Sequence, residues 1–334
     1  MLDAPYATRK APAEPAVSPA QSGRVRAAQT QPQPAVATQV QPQFAVCVTT
    51  MNRADALAAC LDNLLRCEPP PAVVVVSDDS PDEATRAVNE AIVAARPGAV
   101  YLAGPRRGVC ANRNNAVYHC LTHTPDCTHV SFVDDDIQVS ADFFAVARTH
   151  VERLRTGSGD TVILTGGASS GPHLYECRPV RLSFAGYFTE GVVPQCINLH
   201  ASVFPLALFD HDRWDENIFF GTEDAELTLR ALRRGYTIEL VPTLRSRDTM
   251  PGGGVLQGAG ASGGLTRYQV NCEAARLYIG VKRYCVIEPS IVRCAAFLSI
   301  YFGHLTLYLA RHRALSQLVP IVRISNVWRA RTAR

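Results

Sequence analysis

The sequence predicts an α/β fold, a mostly parallel sheet flanked by helices on both faces. Three observations carry the expectation. Short uninterrupted apolar runs such as Val73-Val74-Val75-Val76 alternate with segments of helical periodicity. Strands that are apolar throughout, with no polar face, belong to a sheet covered on both sides. Aspartates and threonines gather just after these runs, where open α/β sheets place their ligands.

Residues 1–43 are rich in Pro, Ala and Gln and have no hydrophobic period. Such a stretch buries too little apolar surface to offset its ordering entropy, so a disordered tail is expected. It also lacks the apolar core of a secretory signal. Order begins at Phe44. The run Phe44-Ala45-Val46-Cys47-Val48 reads as a buried strand ending in the polar turn Thr49-Thr50-Met51-Asn52-Arg53. Leu57, Leu61, Leu64 and Leu65 follow at helical spacing, and Pro69, Pro70 and Pro71 stop that helix.

The second strand, 73–76, runs into Ser77-Asp78-Asp79-Ser80, and a helix over 82–95 leads to a third strand around 100–102. Gly108 precedes a helix near 110–122. The strand 128–133 then delivers Asp134, Asp135 and Asp136. Ser140 is placed to cap the next helix, which carries Phe143, Phe144, Val146 and Val151. Another strand, 162–164, is expected to break at Gly166-Gly167. Further on, the glycine-rich stretch 252–264 reads as a mobile lid ahead of a helix over 266–284.

Composition narrows the class. The net charge of the 334-residue chain is only +3, so nothing points to nucleic acid as a partner. Eleven cysteines include no C-x-x-C pair, which argues against a zinc ribbon or a thioredoxin-like site. Reduced cysteines packing as small hydrophobes in a cytoplasmic protein are expected.

The candidate chemistry sits at the strand ends. Three adjacent aspartates repel one another, and a hard cation with diphosphate oxygens as further ligands relieves that repulsion. Thr49, Asp78 and Asp79 end neighbouring strands, so they are expected to share one crevice with Asp134, Asp135 and Asp136. Asp78-Asp79 suits contact with a base or ribose, and equally an Asx turn with Ser80-Pro81. Arg106, Arg107 and Arg113 flank a helix start and suit phosphate contact, or a solvated basic loop. In Phe220-Gly221-Thr222-Glu223-Asp224, Gly221 or Thr222 is placed to cap a helix whose first turn holds Glu223 and Asp224. Those acids complement the helix dipole, or supply a general base. Trp214 and Asp215 line an acceptor pocket or simply pack.

Together these segments resemble the family 2 glycosyltransferases of the GT-A fold, a Rossmann-like sheet. Val48-Thr49-Thr50-Met51-Asn52-Arg53 is similar to the family's first-strand motif, and Ser77-Asp78-Asp79-Ser80 to its nucleotide-binding acids. Gly108 with Ala111-Asn112-Arg113-Asn114, Val133-Asp134-Asp135-Asp136 and Phe220 through Arg230 and Gly235 resemble, in order, its glycine segment, its DXD motif and its Glu-Asp helix.

The resemblance implies a nucleoside-diphosphate sugar as donor, a hydroxyl acceptor, Mn2+ or Mg2+, and inversion at the anomeric carbon. It assigns Thr49 and Asp79 (or Asp78) to the nucleoside, with Arg53, Arg113, Asp134 and Asp135 at the donor and Asp134 near the ribose. Asp136 with Asp134 would hold the metal, and Asp224 with Glu223 the catalytic role. Many relatives carry a histidine after the last strands, where this chain has Arg245-Ser246-Arg247-Asp248. Either Asp248 takes the histidine's place as a ligand, or Arg245 and Arg247 hold phosphate. The competing expectations are a nucleotidyltransferase, which should show a glycine-rich triphosphate loop absent from 49–53, and a non-catalytic sugar-nucleotide-binding relative.

The catalytic domain is expected over 44–250, the lid and its helix over 251–288, and a helical C-terminal region over 289–334. No acid follows Glu288, the stretch 294–310 is strongly apolar, and arginines accumulate after it. Helices that cover the core or rest on an anionic membrane at its inner face are expected. A span needs about 20 apolar residues, and Arg293 leaves this stretch marginal.

Overall fold

The computed structural model describes residues 41–155, 161–170, 173–175, 177–250 and 265–331. The expected tail up to residue 40 and the glycine-rich stretch 251–264 lie outside the described residues. The first strand, β1 (Phe44–Thr50), is buried at all seven residues. It is followed by α1 (Ala54–Leu65), β2 (Val73–Asp78), α2 (Glu83–Ala94), β3 (Ala99–Ala103), α3 (Val109–His123) and β4 (His129–Asp134). Next come β5 (Ile137–Val139), α4 (Phe143–Arg155), β6 (Val162–Ser170), β7 (His173–Tyr175), β8 (Val180–Leu182), β9 (Phe188–Glu190) and β10 (Ser202–Pro205). The described chain ends with α5 (Glu223–Arg233), β11 (Thr237–Asp248), α6 (Arg267–Lys282), α7 (Ile291–Arg311) and α8 (Leu318–Ile324).

The main sheet runs β3-β2-β1-β4-β10-β6-β11-β5, with β7 paired to β6 at the side. The pairs β2·β3, β1·β2, β1·β4 and β6·β11 are parallel, while β10 is antiparallel to both its neighbours and β5 to β11. Register places the site: Thr49 lies opposite Asp134 across β1·β4, and Thr50 opposite Asp78 across β1·β2. Three strands therefore stop at the same level.

Alternate residues of β1 enter opposite layers. Phe44, Val46 and Val48 pack with α1 and α4, and Ala45 and Cys47 with the α3, α5, α6 and α7 side. That is the two-sided burial read from the uninterrupted apolar run. All eleven cysteines are free thiols, eight of them buried, and they pack as small hydrophobes.

Three local expectations need correction. β6 does not break at Gly166-Gly167 but continues to Ser170. A Cβ at Gly166 would stand 1.8 Å from the Leu244 carbonyl oxygen, so the glycine admits a close backbone approach from β11. Ser140 does not cap α4 through its side chain, because its buried hydroxyl has no hydrogen-bond partner; its carbonyl accepts from Phe143 N instead. The helix expected over 266–284 is α6 with a Thr266/Gln269 capping box, and it widens into a π turn at Arg283–Ile287. There Gly280 lets Phe297 of α7 sit where a Cβ would be, 2.0 Å from its ring.

Candidate active site

Asp134 ends β4 and is partly open to the crevice. Thr49 Oγ1 donates to its Oδ1 at 2.6 Å, Arg113 Nη2 lies 3.3 Å from each oxygen, and His200 Nε2 lies 3.5 Å from Oδ2. Burial pushes this carboxyl up, but Arg113, His200 and the Thr49 hydroxyl outweigh it and hold Asp134 at about 2. It is a fixed anion.

Asp135 faces the other way. It is 1% exposed, accepts from Thr50 Oγ1 at 2.7 Å, and is clasped by Arg53. The expectation that it meets the donor is therefore corrected: it ties β4 to β1 and the loop below. Burial is the main reason its carboxyl is pushed up to about 7, with Asp134 and Asp136 adding to it against Arg53 and Thr50. Asp136 turns back to the crevice edge, with Arg53 Nη1 at 2.6 Å from its Oδ2 and a side chain 18% exposed. The strand ends at Asp134, and Asp135 and Asp136 form the turn into β5, with Arg53 bridging the two.

The second strand end separates its two acids. Asp78 is fully buried and accepts from Ser80 N (2.8 Å), Asn89 Nδ2 (2.9 Å) and Tyr101 Oη (3.1 Å). This is the Asx turn, and it leaves no oxygen of Asp78 for a nucleoside. Asp79 lies beside the loop before α3, accepting from Arg106 N at 2.8 Å, and burial raises its pKa. Arg107 pairs with Glu216 at 3.0 Å.

Arg113, on the first turns of α3, is the centre of the arrangement. It is 2% exposed and donates through Nη1 to Glu223 Oε1 at 2.7 Å while Nη2 faces Asp134. Its guanidinium carbon lies 5.2 Å from the centroid of the Trp214 ring. One buried cation thus joins the end of β4 to the start of α5, acids 89 residues apart in sequence. Despite burial, its acidic neighbours raise its pKa, so it stays charged.

Glu223 is neutralised by that contact, which distinguishes it from the adjacent Asp224. Asp224 accepts from Ala225 N at 2.8 Å and, among the described residues, forms no ion pair. It is partly open to water at the crevice wall but surrounded by protein. Burial first and Glu223 second push its carboxyl up to about 7. A carboxyl poised there suits proton abstraction at neutral pH. Thr222 precedes the helix with φ 57° and does not cap it, since its hydroxyl is buried without a partner.

Asp248 reaches the same neighbourhood through the sheet. It lies opposite Ile137, next to Asp136 in the chain, and its Oδ1 accepts from Met250 N at 2.8 Å. The Asp136 carbonyl accepts from Thr249 N and Oγ1, both at 2.8 Å. Arg245 and Arg247 line a separate cavity of about 560 Å³, and Arg247 donates to Gln138 at 3.0 Å. Trp214 and Asp215 do not line an acceptor pocket. Trp214 is 2% exposed among Phe132, Phe204 and Phe209, and Asp215 accepts from Lys282 Nζ at 2.5 Å and Tyr278 Oη at 2.6 Å. Sequence reasoning missed His200, a lone histidine in the turn Leu199–Ala201, whose position beside Asp134 follows only from the fold.

Among the described residues no three His, Cys, Asp or Glu side chains form a ready-made metal cage. The donors do fit a cation of the Mn2+ or Mg2+ type that takes one or two carboxylates and completes its shell from phosphate oxygens. Asp136 offers a hard oxygen at the crevice edge in a cluster with excess negative charge.

The family model described as glycosyl transferase family 2 matches residues 45–212, half of the chain, and ends before α5. No curated protein matches. Among solved structures the fold is similar to S. aureus TarS, at 14% identity and TM-score 0.51, over 78% of this chain and 43% of that one. The chain thus spans less than half of that protein's length. It is also similar to TarS 1–349 in complex with UDP-GlcNAc, at 17% identity and TM-score 0.50, over 87% of both chains. A third is the mannosyltransferase PcManGT from Pyrobaculum calidifontis in complex with GDP-Man and Mn2+, at 16% identity and TM-score 0.50, over 88% of this chain and 86% of that one. At these identities the likeness concerns the fold. The family match does more: the chain belongs to glycosyl transferase family 2 and is a glycosyltransferase.

Proposed function

We propose that this enzyme moves a sugar from a nucleoside-diphosphate sugar to an acceptor hydroxyl in one displacement with inversion, assisted by Mn2+ or Mg2+. The observation that carries the proposal is the Arg113 bridge, which draws Asp134 and the Glu223-Asp224 pair to one crevice. The UDP-GlcNAc and GDP-Man complexes of the two similar folds support the donor class, and the Mn2+ in the second supports the metal. The nucleotidyltransferase alternative gives way to the family assignment.

Thr49 and Asp79 lie where strand ends meet the nucleoside, and Asp134, held anionic, approaches the ribose. Asp136, with Asp248 beside it in the sheet, would hold the cation, which offsets the negative charge growing on the departing diphosphate. Asp224 removes the acceptor's proton onto a carboxylate oxygen. The freed acceptor oxygen forms its bond to the anomeric carbon as the bond to diphosphate breaks on the opposite face. Arg113 keeps Glu223 occupied, so the unpaired carboxylate is that of Asp224.

Donor consumption tests the reading. With Mn2+ and an acceptor panel, turnover of one nucleoside-diphosphate sugar is expected, and Asp136→Ala should lower it about 100-fold or more. Turnover indifferent to both Mn2+ and Asp136→Ala would overturn it.

A further inference from the structure

Helix α7 is apolar on two sides, and among the described residues only one of them is packed against the protein. Its stripe of Cys294, Phe297, Tyr301, Leu305 and Leu309 is buried, and Tyr301 Oη donates to the Glu273 carbonyl of α6 at 2.9 Å. The opposite side faces solvent. Val292, Phe302 and Leu307 are 79%, 38% and 60% exposed, with Ala295, Ala296, Ser299, Thr306 and Ala310 filling the gaps between them. A helix at a protein surface normally turns charged residues outward. The exposed residues of α7 carry charge only at Arg293 and Arg311, with His304 between them. The apolar exposure continues past the helix at Val319 and Trp328, 55% and 58% exposed.

The charge on the segment after α7 has one sign. Arg311, Arg313, Arg323, Arg329 and Arg331 are all exposed, and no acid follows Glu288 in the sequence. Glu288 itself is held by Arg283 at 3.2 Å and Arg293 at 3.0 Å. By length and composition α7 resembles a membrane span. Its buried stripe, however, is packed onto α6, where Arg276 covers the Tyr301 ring at 4.4 Å, which holds the helix against the protein.

We infer that α7 and the arginine-rich segment after it form a docking surface for an anionic phospholipid bilayer, with α7 lying in the plane of the interface. The exposed apolar side enters the headgroup boundary, the arginines meet lipid phosphates, and Trp328 suits the polar–apolar border. This inference does not depend on which sugar or acceptor the crevice takes.

Vesicle co-sedimentation of the full chain tests it, using phosphatidylcholine vesicles with and without about one third phosphatidylglycerol. Binding to the anionic vesicles is expected to be at least tenfold tighter and to weaken as salt rises. The pair Val292→Glu with Leu307→Glu should reduce it at least tenfold, and Arg311→Glu with Arg313→Glu should remove the preference for anionic lipid. Both pairs lie on the surface, and unchanged donor turnover in solution verifies that they fold. Equal binding to both vesicle types, or binding indifferent to both pairs, would overturn the inference. So would a dimer in solution that Leu307→Glu dissolves without vesicles, because a second copy would then cover this face.

Discussion

Two clusters of charge lie within reach of α5, and they are built differently. The cluster between α5 and α6 balances: Asp212, Asp215 and Glu226 face Arg230, Arg234 and Lys282, with Lys282 Nζ 2.5 Å from Asp215 and 2.7 Å from Glu226. The crevice cluster does not. Among the described residues, Asp134, Asp135, Asp136 and Glu223 pair only with Arg53, Arg113 and the imidazole of His200, and Asp224 pairs with none. In a region poor in water each unpaired anion is costly. The balanced cluster therefore acts as a brace, whereas in the crevice burial, with the excess of acid added to it, raises a carboxyl to about 7 and creates a demand for a cation. Charge imbalance, added to burial, marks the functional site.

The largest effect is expected where the balance is broken. Lys282→Met would leave Asp215 and Glu226 buried with less compensation, and denaturant unfolding should show a loss of about 3–5 kcal/mol. Turnover per folded molecule should stay within a few-fold, since no crevice group is touched.

The crevice should respond with the opposite sign. Asp224 titrates near 7 when folded, whereas an aspartate in the unfolded chain titrates near 3.9. Between these values the unfolded chain gives up its proton and the folded protein does not. Stability is therefore fully present below about 4 and is lost as pH rises to about 7. Asp224→Asn removes that loss. With allowance for the carboxyl's partial contact with water, the variant should be more stable at pH 8 by about 1–3 kcal/mol and no more stable at pH 4. A smaller effect is expected at His200. Removing its contact with Asp134 by His200→Phe should raise the donor KM about three- to fivefold, roughly 1 kcal/mol, with little change in kcat.

Some of this was visible in the sequence for a physical reason. β1 and β2 open as uninterrupted apolar runs and β4 is apolar but for His129 and Ser131, so their positions and the acids at their ends could be read locally. Thr49 and Asp134 lie level, with Asp79 just past the end of β2, because parallel strands stop together, whereas the Glu223-Asp224 turn is drawn to Asp134 by Arg113. Other features depend on partners far along the chain. Gly166 resembles a strand breaker until Leu244 of β11 is seen against it. Asp78 and Asp79 are chemically alike, and only Asn89 and Tyr101 determine which of them is buried. Asp215 became structural through Lys282, which is 67 residues away. His200 carried no local pattern at all.

The pH dependence of kcat/KM, at saturating Mn2+ and for wild type beside Asp224→Asn, addresses the base assignment most directly. The account predicts that wild-type kcat/KM falls about tenfold per pH unit below about 7, as Asp224 gains its proton, and that the variant is slower by about 100-fold or more with no such fall. A flat wild-type profile from pH 5.5 to 8, or the same slope in the variant, would contradict it.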